Sequence, residues 1–157
     1  MRKRIVPVEQ RQESVADGDW LDLGAVAEIE ISSENPEHPI ESALLPGHAS
    51  GWRAGTPGRQ VIRLLFSPPQ KVTRIQLQFE EKSIARTQEY VLRWSPDRDQ
   101  PCREIVRQQW NFDPNGATTE FEDYQVELPS AALLELIIDP GADHQAALAS
   151  LESLRIG

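Results

Sequence analysis

Through residues 73–79, Ile75, Leu77 and Phe79 alternate with Arg74, Gln76 and Gln78. A period of two puts the three apolar side chains on one face of a half-buried strand; a helix would scatter them around its surface. The same alternation recurs at Ile62/Leu64/Phe66, Tyr90/Leu92/Trp94, Tyr124/Val126/Leu128 and Leu134/Leu136/Ile138. Residues 26–31, 103–107 and 151–156 complete a set of about eight short strands punctuated by Pro, Gly, Asn and Asp. That pattern predicts an all-β chain, a jelly-roll sandwich whose two sheets bury their inner faces against each other. Helical signals are few: residues 39–45 suit a single turn, and residues 142–150 a brief helix. Residues 1–24 are polar and mixed in charge, with Asp17-Gly18-Asp19 as a turn signal. They read as an arm whose later part, around Trp20-Leu21, docks on a sandwich formed by residues 25–157.

Charge and composition narrow the function more than the fold. The 157 residues carry 25 acidic and 16 basic side chains, a net charge of −9. A nucleic-acid partner, which needs a basic footprint to neutralise phosphates, is therefore not expected. No run approaches the ~18 apolar residues that span a bilayer, so no membrane partner is expected either. The first residues, Met1-Arg2-Lys3-Arg4-Ile5-Val6-Pro7, lead into charges at Glu9, Arg11 and Glu13 and not into an apolar stretch; the reading is a cytoplasmic protein. The single Cys102 leaves no internal disulfide to form. No Cys/His cluster has zinc-ligand spacing, and no nucleophile elbow, P-loop or dinucleotide fingerprint occurs. An enzyme and a bound cofactor are not expected.

The order of several short motifs carries a family resemblance. They are Ser32-Ser33-Glu34-Asn35-Pro36, Gly51-Trp52-Arg53, the paired runs 61–66 and 72–79 around Ser67-Pro68-Pro69-Gln70, and Tyr90-Val91-Leu92-Arg93-Trp94-Ser95-Pro96-Asp97. The run Ala149-Ser150-Leu151-Glu152-Ser153-Leu154-Arg155-Ile156 closes the series. Together these resemble a discoidin-like domain, also called the coagulation-factor type C or galactose-binding-like jelly roll, over residues 25–157. Arg86-Thr87-Gln88-Glu89-Tyr90 and Gln109-Trp110-Asn111-Phe112-Asp113-Pro114 resemble small stand-alone bacterial proteins described as carbohydrate-binding. Trp52-Arg53-Ala54 with the strand pair after it is similar to the N-terminal interaction domain of an X-ray-repair scaffold protein.

The resemblance implies a non-catalytic module that binds a carbohydrate through loops at one end of the sandwich. The alternative it leaves open is a protein–protein interaction domain. Many sugar-binding members hold a calcium ion with a carboxylate-bearing loop before the Trp and a Glu from the closing strand. Here Leu44-Leu45-Pro46-Gly47-His48 and Ser153 stand at those places. Calcium prefers several oxygen ligands with carboxylates among them, so no metal site of that type is expected.

The family's ligand loops correspond to residues 34–41, 52–59, 81–89 and 110–123. Sugar sites combine an aromatic face with Arg, Asn, Glu or His side chains that bond hydroxyls. On that basis the candidate ligand-binding residues are Arg86, Arg53, Trp110, Asn111 and His38. Arg86, in a loop at residues 84–87, is the ligand-facing cation. Arg53 either faces the ligand or pairs with Glu34. Trp110 begins a loop with Asn111 and is either a platform or a plug for the sandwich end. Trp52 and Trp94 read as core, and Glu80-Glu81-Lys82 as a solvated hairpin tip.

Overall fold

A computed structural model of the chain describes residues 20–47, 51–141 and 146–157. The chain order there is a helical turn α1 (Leu23–Val26), β1 (Ala27–Ile31), a second turn α2 (Glu41–Leu44), β2 (Trp52–Arg53), β3 (Gln60–Glu80), β4 (Arg86–Ser95), β5 (Arg103–Phe112), β6 (Thr119–Asp139), β7 (Ser150–Leu151) and β8 (Ser153–Ile156). The fold is an all-β jelly-roll sandwich. The turn signal at residues 17–19 and most of the arm lie outside the described residues, as do residues 142–145 of the expected late helix. The described remainder of that segment, residues 146–149, is not helical.

The runs at 62–66 and 73–79, expected as two strands, are one strand of 21 residues; the same holds for β6. The two pair with each other from Gln60↔Ile138 to Glu80↔Thr119, with register shifts between Leu65 and Arg74. Ser67-Pro68-Pro69 makes a corner there, with a cis peptide before Pro68. The ribbon folds over at that corner, so its two halves lie in opposite layers. The first layer runs β1, β3, β6, β4, β5, using residues 62–66 and 133–139 of the ribbon. The second uses the other half, with β8 paired to residues 75–78. Phe79 of the second layer meets Tyr90 of the first, ring centroids 5.0 Å apart.

Alternation sorts the side chains as the sequence pattern implies. Ile62, Leu64, Phe66, Ile75, Leu77, Phe79, Leu92, Leu134, Leu136 and Ile138 all face the core and are almost wholly buried. Each such side chain contributes roughly 1.5–3 kcal/mol of transfer free energy. Below the core, Leu21 N–H donates to Ile156 O at 2.7 Å, and the Arg74 guanidinium lies 4.9 Å from the Trp20 ring centre. Those two contacts fasten the start of the described chain to the second layer.

Trp52 fills the core end nearest the loops and is 1% exposed. Gly51 sets its entry. It has φ +64°, and a Cβ there would stand 2.8 Å from Leu151 O, so only glycine lets β2 lie this close to β7. The Trp52 indole N–H donates to Ser33 O at 3.1 Å. A Trp52→Phe substitution keeps an aromatic ring but leaves that carbonyl without its donor. It is expected to cost about 1–2 kcal/mol, measured as a shift in denaturation midpoint at unchanged slope.

Candidate functional site

One end of the sandwich gathers the start of β3, its finish, the start of β4 and the end of β5. The register pairs Gln60↔Ile138, Glu80↔Thr119 and Arg86↔Phe112 bring these ends together. A cleft of about 450 Å³ opens there. Its walls are Trp52 and Arg53, then residues 80–84, then Ala146, Ala147, Leu148, Ser150 and Glu152.

The Arg53 wall is held by backbone. Arg53 N–H donates to His38 O at 3.1 Å, Arg53 O accepts Asn35 N–H at 2.8 Å, and Ala54 N–H donates to Ala149 O at 2.9 Å. The next turn is pinned by a buried amide. Gln60 Oε1 accepts both Ser32 Oγ and Ser33 Oγ at 2.6 Å, and Gln60 Nε2 donates to Thr56 O at 3.1 Å. Arg53 itself is exposed to the cleft.

The opposite wall is ionic. Lys82 Nζ lies 2.7 Å from Glu80 Oε1, and Arg86 Nε donates to Glu81 Oε1 at 2.8 Å. Arg86 Nη1 donates to Gln88 Oε1 at 2.9 Å and to Pro140 O at 2.6 Å, and its guanidinium lies 5.0 Å from the Phe112 ring centre. Burial works to raise the Glu81 carboxyl. The bonds from Arg86 and from Ser83 N–H outweigh it and hold the group below the ordinary glutamate value. Glu81 therefore keeps its charge to lower pH than an ordinary glutamate.

The five sequence-predicted residues fall in three places. Arg53 lines the cleft. His38 adjoins it through the backbone and is half-buried. Arg86 opens β4 and does not sit in a loop; its side chain has no solvent exposure, and Glu81 stands between it and the cleft. Trp110 and Asn111 do not begin a loop but belong to β5. The turn starts at Asp113, which accepts Gly116 N–H at 2.9 Å through its carbonyl. Trp110 points inward and is half-buried; Asn111 lies outside, accepting Thr87 Oγ1 at 2.8 Å. The polar run Arg107-Gln108-Gln109 disguised this strand, because β5 is an edge strand and only its inner positions need be apolar. Glu34, weighed as a partner for Arg53, instead accepts Ile40 N–H at 3.0 Å.

Residues 80–82, read as a solvated tip, form a wall of the cleft. Glu152 was also missed, although the sequence carries a sign of it. Leu151, Leu154 and Ile156 break the period of two once, between 151 and 154. The break is where β7 gives way to β8, and Glu152 N–H there donates to Gln78 O at 2.8 Å while Glu152 lines the cleft. Among the described residues no group of three or more His, Cys, Asp or Glu side chains is placed to hold a metal ion; His48 lies outside them.

No protein-family model matches this sequence, and no curated protein matches it. Solved structures do match its shape. A family 32 carbohydrate-binding module from NanJ of Clostridium perfringens, solved with galactose, is 14% identical, covers 87% of this chain and 96% of its own, and superposes with a TM-score of 0.64. A second module from the same organism, solved with GalNAc-beta-1,3-galactose, is 17% identical over 88% and 99% of the two chains, TM-score 0.62. A chitosan-binding module from Paenibacillus sp. IK-5 is 15% identical over 87% and 98%, TM-score 0.61. The chain has the galactose-binding-like, discoidin-type jelly-roll fold that the order of its motifs implies.

Proposed function

We propose that this chain is a non-catalytic binding module that takes a carbohydrate into the loop-end cleft. The observation that carries the reading is the composition of that cleft. Arg53 stands exposed on one wall, Glu81, Ser83 and Glu152 present polar groups around it, and Ile84 and Leu148 offer an apolar strip. Leu148 is 39% exposed. A pyranose has the matching make-up: a ring of hydroxyls that both donate and accept, and a C–H face that leaves water on contact with an apolar surface. The volume is also in the range of small-ligand sites. The bound sugars of the similarly folded modules are galactose and GalNAc-beta-1,3-galactose, which supports a saccharide over other polyols. Trp52 borders the cleft but is 1% exposed and takes a packing role; Arg53 supplies the directional contacts.

Loss of a charged hydrogen-bonding group at such a site costs about 1.5–3 kcal/mol. Arg53→Ala is therefore expected to weaken saccharide binding at least about tenfold, with denaturation unchanged because the side chain is exposed. Calorimetric titration of both proteins with a saccharide selected on a glycan array reads this directly. Equal affinities for the two proteins would remove Arg53, and this cleft with it, from the site. A protein-interaction role is favoured if the array yields no ligand and a partner competes with occupation of the sheet face around Phe121, which is 54% exposed.

A further inference from the structure

Among the described residues, buried Arg86 Nη2, Gln88 Nε2 and Trp110 Nε1 have no acceptor and both carboxylate oxygens of Glu120 have no donor; the Glu120 carboxyl lies against that of Glu122. Three of the four residues occupy one level of the sandwich interior. Gln88 and Trp110 are register partners across β4 and β5, so both side chains leave the sheet on the same face. Glu120 comes from the opposite layer. It is the register partner of Phe79, whose ring meets that of Tyr90, and Tyr90 stands two residues from Gln88 on the same face.

The adjoining level shows what closure looks like. Gln108, the register partner of Tyr90, donates from Nε2 to Glu122 Oε1 at 3.3 Å, and the Tyr90 and Tyr124 hydroxyls lie 2.5 Å apart. Polar groups from the two layers meet there. One step toward the cleft they do not.

The orientation of Gln88 is fixed. Its Oε1 accepts Arg86 Nη1, and Arg86 is itself anchored on Glu81 and Pro140 O, so Nε2 faces the interior. Gln88 and Glu120 are both 0% exposed. Native interiors pair such groups almost without exception, with protein or with a bound molecule.

We propose that Gln88, Trp110 and Glu120 form a built internal site for a hydroxyl group, which accepts from Gln88 Nε2 and Trp110 Nε1 and donates to the Glu120 carboxyl. A cation leaves the two N–H donors unmet, and an anion has no proton to give the Glu120 carboxyl. An O–H group satisfies all three. It is carried either by ordered water or by a small alcohol. Trp110 is half-buried and, among the described residues, no strand pairs with the outer edge of β5, which gives the guest its route of entry. This internal site is separate from the cleft yet joined to its wall through the Glu81–Arg86–Gln88 hydrogen bonds.

The test uses the whole chain labelled with nitrogen-15. The Trp110 indole signal is assigned as the one lost from the four Trp side-chain signals in Trp110→Phe. Rotating-frame Overhauser spectra then read which protons lie beside that N–H and beside the Gln88 side-chain amide. The expected result is a cross-peak from water of the sign that proximity gives and chemical exchange does not. Cross-peaks from carbon-bound protons of a co-purified molecule would instead identify an alcohol as the guest, in the same site. Glu120→Leu is expected to reduce the cross-peak at least about fivefold, while Gln108→Leu, one level away, keeps it. A wild-type spectrum with neither kind of cross-peak overturns the proposal without reference to any variant. So does a cross-peak that survives Glu120→Leu, or one lost equally in both leucine variants.

Discussion

Arg86→Ala is expected to destabilise the fold by about 3 kcal/mol, the range for breaking a buried ion pair from one side. The reason lies in what the guanidinium satisfies. It bonds Glu81, Gln88 and Pro140 O while having no solvent exposure, and it covers the Phe112 ring. Removal strands a carboxylate, an amide oxygen and a carbonyl together and leaves a void behind them. For a domain of this size the loss corresponds to a fall in Tm on the order of 10 °C. Glu81→Gln is expected to cost much less, because Arg86 keeps its other two acceptors. Equilibrium denaturation of the three proteins tests the ranking. An Arg86→Ala protein within 1 kcal/mol of wild type would contradict the account of this wall.

A second large effect concerns pH. Burial first, and then the charge of neighbouring Glu122, push the Glu120 carboxyl up to about 7. In the unfolded chain a glutamate titrates near ~4.3. The folded state therefore holds an extra proton between those values, and the stability this confers is complete below about pH 4 and lost as pH rises through about 7. The linked change is roughly 4 kcal/mol. Glu81 and Asp123 act in the opposite sense. Arg86 and Arg74, respectively, hold their carboxyls below the ordinary values, so their contribution fades as pH falls through the acid range. Stability is thus expected to peak at about pH 4 and to decline toward neutrality. Glu120→Gln, which mimics the neutral acid, is expected to flatten the decline between pH 5 and 7. Denaturation midpoints at unit pH intervals show this; a Gln variant with the wild-type slope would assign the decline to other groups.

The legible parts of this chain were those governed by short-range rules. Ile75/Leu77/Phe79 and Leu134/Leu136/Ile138 declared their strands because inner and outer positions differ in polarity. The join of residues 62–66 to 73–79 into one ribbon was hidden, since Ser67-Pro68-Pro69 reads as a stop and only the pairing partner on β6 reveals a corner. The cleft was legible in part. Loop order placed Arg53 beside it, whereas Glu81, read as part of a solvated tip, was given no part in it. What no local pattern carries is direction. Arg86 alternates with Thr87, and the inward side of that alternation sends its guanidinium behind Glu81 and away from solvent. Trp110 and Asn111 likewise sit on opposite faces of β5, so one meets the interior and the other the outer face. Glu152 reached the cleft through a single break in periodicity.

The central claim is that the cleft between Arg53, residues 80–84 and Glu152 binds a saccharide. A glycan array probed side by side with wild-type protein and Arg53→Ala tests it most directly. The account predicts a confined set of saccharides bound by wild type, with signal lost or reduced at least about tenfold in Arg53→Ala, a change of about 1.4 kcal/mol. An array on which wild type binds nothing, or on which both proteins bind the same saccharides equally well, would contradict it.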